Sequence, residues 1–251
     1  MPIREYNFTG FDHIKVGGAF DVEVKKADGF RVSVDADMLK PVQVKKTGET
    51  VDISLPWYYY FWGFLTAFIR AKIYITLPEL RSIALYGASQ ANVDAFTTQH
   101  DFSIELAGAS RLDISTIKCG NAEIRLVGAS KLTMKRLEAG DLKMEMMGAS
   151  RADGEIVLST GAVIKIVGAS RAELKGEASN LRLDVAGASQ ARLTELSAHN
   201  AKIKLTGASR AVVKIDGRLD ADVAGASDLS WVGNPVMGDI KSVGASQLHR
   251  A

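Results

Sequence analysis

The sequence predicts an all-β fold, a parallel β-helix (solenoid) of about 20-residue coils that turn at Gly-Ala-Ser corners, and three observations predict it. The tripeptide Gly-Ala-Ser begins at Gly87, Gly108, Gly128, Gly148, Gly168, Gly187, Gly207, Gly225 and Gly244, in steps of 21, 20, 20, 20, 19, 20, 18 and 19 residues. A fixed period near twenty marks a solenoid, in which each repeat stacks on the one before. Apolar and polar residues alternate on both sides of every tripeptide, which is the period of a strand and not of a helix. Aligned on glycine, the flanking positions form apolar columns. Two residues before it stand Leu85, Leu106, Leu126, Met146, Ile166, Val185, Leu205 and Val223, with Ser242 the one exception. Four after it, every residue is Ala or Leu, from Ala91 to Leu248.

The elements follow in chain order. From Phe8, short runs alternate: Ile14 and Val16; Phe20, Val22 and Val24; Phe30, Val32 and Val34. Turns are expected at Gly17-Gly18 and Asp28-Gly29. The segment from Val16 to Val22 reads as a degenerate corner with Phe20 in the serine position, a bulky residue suited to a first coil where one end of the core needs cover. Val42 and Val44, then Val51, Ile53 and Leu55, continue the strand pattern. It breaks at Pro56. Trp57, Tyr58, Tyr59, Tyr60, Phe61, Trp62, Phe64 and Phe68 place eight of the chain's aromatic residues in one uncharged stretch. This is too short for a membrane-spanning helix, which needs about 20 apolar residues. Strand alternation resumes at Ile73, Ile75 and Leu77, and regular repeats run on from there. A single domain over 1–251 is expected, with irregular N-terminal coils over 1–79, an aromatic insertion at 56–69, and regular repeats over 80–251.

One repeat spans roughly 66 Å of strand at ~3.3 Å per residue, enough for two or three faces. Helix-turn-helix repeats are longer, and the fixed Asn or Cys of leucine-rich repeats is missing. The general preference of parallel crossovers makes the coil right-handed. Gly supplies positive φ or a close backbone approach at the corner. Inward parity carries through to Ser170, so the serines should point inward and bond the corner backbone. Activation as nucleophiles needs a neighbouring base, and no His or Lys recurs beside them.

Composition bounds the function. The chain has 251 residues, a net charge of +2 and one cysteine, Cys119. No basic excess argues for nucleic acid, and no internal disulfide can form. Met1-Pro2-Ile3-Arg4-Glu5 lacks the apolar core of a secretory leader: either the protein stays inside the cell or a leader has been removed.

Three surface features carry the site expectations. The column three before Gly alternates in sign: Glu105, Arg125, Glu145, Lys165, Asp184, Lys204, Asp222, Lys241. An ion-pair ladder is expected there. The column after Ser holds Arg111, Lys131, Arg151, Arg171 and Arg210. It reads either as a solvated, salt-bridged face or as a stripe for a polyanion such as an acidic glycan. The aromatic stretch 57–68 is a cap over the core, or an interface to a second copy or a membrane surface. Asp113, Asp153 and Glu173 share a column, the nearest approach to an acid pair for glycan cleavage. Thr133 interrupts them and arginines flank them, which favours surface pairing. His13, His100, His199 and His249 fall at unrelated phases, so no recurring metal site and no cofactor is expected.

Phe8-Thr9-Gly10-Phe11-Asp12-His13-Ile14-Lys15-Val16-Gly17-Gly18-Ala19-Phe20-Asp21-Val22-Glu23-Val24, then Ile73-Tyr74-Ile75-Thr76-Leu77-Pro78-Glu79-Leu80-Arg81-Ser82-Ile83, lead into the Gly-Ala-Ser coils. Together they resemble the putative auto-transporter adhesin, head GIN domain family, across nearly the whole chain. The resemblance implies a bacterial, often exported β-helix with an adhesive role and no catalytic residues to carry over. The expected function is a non-enzymatic structural or binding module that presents repeat faces to a glycan, cell-surface polymer or partner protein. The alternatives are a polysaccharide-active enzyme and a self-assembling scaffold.

Overall fold

The computed structural model describes residues 3–36, 42–56 and 71–251. The described residues contain no helix. The N-terminal strands are β1 (Ile3–Tyr6), β2 (His13–Gly18), β3 (Asp21–Lys26), β4 (Arg31–Ala36), β5 (Gln43–Thr47), β6 (Thr50–Ser54) and β7 (Ala71–Leu77). The coils continue through β8 (Ser82–Gly87), β9 (Gln90–Val93), β10 (Phe96–Thr97), β11 (Phe102–Gly108), β12 (Arg111–Lys118) and β13 (Ala122–Gly128). Four long strands follow: β14 (Lys131–Gly148), β15 (Arg151–Gly168), β16 (Arg171–Gly187) and β17 (Gln190–Gly207). The remainder is β18 (Arg210–Ile215), β19 (Arg218–Gly225), β20 (Asp228–Val232), β21 (Val236–Gly244) and β22 (Gln247–Arg250).

From β8 onward every pairing is parallel and each coil sits in register on the last. Gly128 lies over Gly108, Gly148 over Gly128, and Gly168 over Gly148. The chain is therefore a β-solenoid with coils of about 20 residues. The inward residues of β14 show how one coil bends. Leu132 and Met134 face in, then Leu137 and Ala139, then Leu142, Met144 and Met146. Within each group the spacing is two; between groups it is three. A step of three flips the parity unless the backbone turns. Register shifts fall at those two places, between Met134 and Leu137 and between Ala139 and Asp141. With the Gly-Ala-Ser corner they divide the coil into three faces.

The corner is built as its residues require. Gly168 has φ +101°, and a Cβ placed on it would lie 2.5 Å from the Gly148 carbonyl oxygen. Both the backbone conformation and the approach thus need glycine. The next residue uses that closeness: the Ala169 N–H donates to the Gly148 carbonyl at 2.7 Å. The corner serines are buried from Ser89 to Ser227, and Ser246 in the last coil is half-buried. Ser170 Oγ donates to the Gly148 carbonyl at 3.1 Å and accepts from the Ser150 N–H at 3.2 Å. Each serine thus bonds corner backbone. Inside, Leu106, Leu126, Met146, Ile166, Val185, Leu205 and Val223 form one fully buried row, each worth up to about 1.5–3 kcal/mol of burial.

The N-terminal coils depart from the expected all-parallel order. β5 and β6 form an antiparallel hairpin across Gly48-Glu49, and β4 pairs antiparallel with both β7 and β1. A two-residue turn joins only antiparallel strands, whereas a parallel neighbour must wait for a full coil. Phe20 is buried, but its coil does not lie at the end of the stack. β2 is sandwiched between β6 and β8, and β3 between β7 and β9. The segment after Phe20 folds back under its own coil, and the cover comes from β6 and β7. The aromatic candidates Trp57, Tyr58, Tyr59, Tyr60, Phe61, Trp62, Phe64 and Phe68 lie outside the described residues.

Candidate functional site

The structure places the basic column after each serine in salt bridges with its own acidic neighbours. Arg111 Nε lies 3.1 Å from Asp113, Arg151 Nε 2.7 Å from Asp153, Arg171 Nη2 3.7 Å from Glu173, and Arg210 Nε 3.1 Å from Asp228. Lys131 is the one member without an ion pair within 4.0 Å among the described residues. The same pairs engage Asp113, Asp153 and Glu173. Side chains two apart on a strand point the same way, so Arg111, Arg151 and Arg171 each close on the acid at i+2, while Arg210 closes on its in-register neighbour Asp228.

The alternating column is in register, with Glu105 beside Arg125, Arg125 beside Glu145 and Glu145 beside Lys165. Yet no pair within it closes to 4.0 Å among the described residues. The ladder is a pattern of alternating neighbours in place of the expected row of ion pairs. Glu105 accepts instead from the Tyr86 hydroxyl at 2.9 Å. Burial, with the Glu105 carboxylate, pushes that phenol up to about 12.

A furrow follows the bend that precedes the last face of each coil. Its first section encloses about 600 Å³, with His13, Arg81 and His100 at one end and Val163 at the other. Its second encloses about 310 Å³ and runs on from Asp141 and Val163 to Arg218 and Asp220. From β2 to β19 it crosses nine adjacent strands, roughly 40 Å at ~4.8 Å per strand. One wall is the column seven before Gly: Asp101, Asn121, Asp141, Gly161, Asn180, Asn200 and Arg218. These polar residues bridge coils. The Asn121 N–H donates to Asp101 Oδ1 at 2.9 Å, the Asp141 N–H to Asn121 Oδ1 at 3.1 Å, and Asn200 Nδ2 to Asn180 Oδ1 at 3.3 Å. The opposite wall is the outward column five before Gly: Glu123, Lys143, Val163, Arg182 and Lys202. The signal for both walls lay in the glycine alignment, but neither column is apolar or regular in sign.

At the His13 end, charges interlock. Arg81 Nε lies 3.0 Å from Asp12 and 3.5 Å from Glu79. His13 contacts Asp12 and Thr98 donates to Glu79. The Thr98 bond, aided by Arg81, holds the Glu79 carboxyl below its ordinary value. Asp12, His13 and Glu49 bring three ligand-type atoms together, which the scattered histidine phases did not foretell. The Arg81 guanidinium already supplies Asp12 with a cation.

The fold is shared with solved structures. A crystal structure of a putative adhesin from Parabacteroides distasonis is 15% identical, with TM-score 0.69, covering 100% of this chain and 96% of that one. A putative lipid binding protein from the same organism is 17% identical, with TM-score 0.61 and coverage of 100% and 96%. A putative adhesin from Parabacteroides merdae is 11% identical, with TM-score 0.60 and coverage of 100% and 95%. No curated protein matches the sequence. The sequence model of the putative auto-transporter adhesin, head GIN domain family matches residues 10–135 and 122–235, and with the corner, the coil and the register in place the chain belongs to that family.

Proposed function

We propose that this chain is a non-enzymatic binding module that receives an extended glycan or cell-surface polymer in its lateral furrow. The observation that carries the reading is the furrow itself, continuous from His13 and Arg81 to Arg218 and Asp220. A linear polymer matches a site that repeats once per coil, because each coil offers the next unit a similar pair of walls. The family's description as an adhesin head supports this, and it supports a place outside the cell. The engagement of Asp113, Asp153 and Glu173 by arginines, and of the serines by corner carbonyls, argues against hydrolysis at either row.

A glycan array tests the reading, run with and without calcium and followed by product analysis of every hit. Val163 stands 49% exposed at the junction of the two furrow sections, so Val163→Trp should fill the furrow without disturbing the core. Loss of binding at an unchanged melting temperature is expected. An array without hits, or hits indifferent to Val163→Trp, would overturn the furrow, and cleavage products would overturn the non-enzymatic reading.

A further inference from the structure

We infer that the furrow, toward its Arg218 end, holds an anion-recognition site built by Arg182 and Lys202 with Lys204 beside them, and that it takes a short stretch of acidic glycan through its carboxylate or sulfate groups. This rests on the furrow being the binding surface.

Charge placement carries the argument. In the column five before Gly, Lys143 closes on its in-register neighbour Glu123 at 2.6 Å. Arg182 has no such partner: Asp184, two residues along on the same face, does not close on it to within 4.0 Å. Its two neighbours in register are Val163 and Lys202, an apolar side chain and a second cation. Like charges directly side by side on adjacent strands are unfavourable. Lys202 has Asp220 on its other side, but that carboxylate is committed. Arg218 Nη2 lies 2.9 Å from Asp220, and the Asp239 N–H donates to it at 2.7 Å. Lys204 stands two residues along the strand from Lys202 and on the same face. Its in-register neighbours are Asp184, shared with Lys165, and Asp222. None of Lys165, Arg182, Lys202 and Lys204 forms an ion pair within 4.0 Å among the described residues. Arg182 and Lys202 are thus adjacent, exposed and unpaired, whereas Lys165 lies in register between Glu145 and Asp184, and Lys204 between Asp184 and Asp222.

The surroundings select the class of anion. Arg182 and Lys202 line the 310 Å³ section of the furrow, a volume suited to a small ligand. Across from them the wall has a notch at Gly161, and exposed Val163 gives an apolar surface for the C–H face of a sugar ring. Asn180 and Asn200 stand in the same wall, and each amide has a second N–H beyond the one used between coils. The guanidinium fork matches carboxylate and sulfate oxygens in pairs. The coil rise of ~4.8 Å is close to the length of one pyranose unit, so successive sugars meet successive coils. Glu145 bounds the patch on one side and Asp222 on the other. The site spans about three coils, so its occupant is an oligosaccharide segment rather than a flat membrane or a long duplex.

The test is isothermal titration of the full chain with galacturonate oligomers of two to eight units, at low and high salt. Neutral oligomers of equal length, anionic vesicles and duplex DNA serve as comparisons. Acidic oligomers are expected to bind best, with affinity levelling off near four units and falling with salt. The double variant Arg182→Gln/Lys202→Gln should weaken them at least about tenfold and leave the melting curve unchanged. The Arg111→Gln/Arg151→Gln variant, in the ion-paired column, should bind as the parent does. Neutral oligomers that bind and are lost only with Val163→Trp would overturn the anion site and leave the furrow reading standing. If no oligomer of either kind binds, both fall. Equal binding to vesicles or DNA would overturn the glycan assignment, and loss in the Arg111→Gln/Arg151→Gln variant would place the site on the wrong face.

Discussion

At a single corner, the demands on each side chain differ and can be separated. Gly168→Ala would put a Cβ 2.5 Å from the Gly148 carbonyl oxygen at a φ of +101°, a strain of about 1–3 kcal/mol. Gly29, where an added Cβ meets nothing within 4 Å, is the control: Gly29→Ala should leave the urea midpoint nearly unmoved. Ser170→Ala should cost about 1–3 kcal/mol by leaving the buried Ser150 N–H without a partner, and the same urea titration reads it. Cys119 illustrates a titration. Burial, then the Asp101 carboxylate, pushes its thiol from 9.0 up to about 11. The raised value means that the folded chain holds its proton where the unfolded chain would lose it. The contribution is whole below pH 9.0 and is lost as pH rises through about 11. Slow alkylation by iodoacetamide at pH 8, sped up by denaturant, is expected; fast alkylation of the folded chain would show an exposed thiolate.

A whole strand feels a substitution through its two neighbours. Ile166 is fully buried between Met146 and Val185, and Ile166→Ala should cost about 2–5 kcal/mol, measured by thermal or urea unfolding. Arg125 stands between Glu105 and Glu145, so Arg125→Glu lines up three carboxylates. Because no ion pair in that column closes, the loss should stay below about 1 kcal/mol and shrink in high salt. A salt-independent loss would mean that Arg125 acts through packing. The alternating column acts on register: a slip by one coil puts like charges side by side.

Across the molecule, each coil touches only the coil before and the coil after, so stability is a chain of neighbour terms and need not be uniform. The side chains of β14 to β17 alternate between buried and exposed, whereas those of β21 are nearly all exposed. Native-state hydrogen exchange should be slowest in β14–β17 and fastest in β21 and β22. Uniform protection along the stack would mean that the solenoid opens as a single unit.

The period, the parity of each column and the roles of Gly and Ser were legible in the chain because a parallel coil turns sequence spacing directly into contact: residues about 20 apart become neighbours. From β8 onward, alignment on glycine gives the register of the strands flanking each corner, and differences in coil length are absorbed in register shifts farther away, as between Leu193 and Ser197. The rule fails before β8, since nothing local in Arg31–Leu77 says that β7 inserts between β3 and β4; that choice depends on which open edge lies within reach. The two wall columns of the furrow stand in the glycine alignment, but that they face each other across a groove was beyond the sequence. Its walls come from two outward columns brought together by a bend, and the partners that leave Arg182 and Lys202 free are settled by distances. Charge spacing makes the Arg111 and Arg182 columns look alike. Only the folded coil decides that Arg111 meets its acid two residues along the same strand while Arg182 meets a lysine on the next.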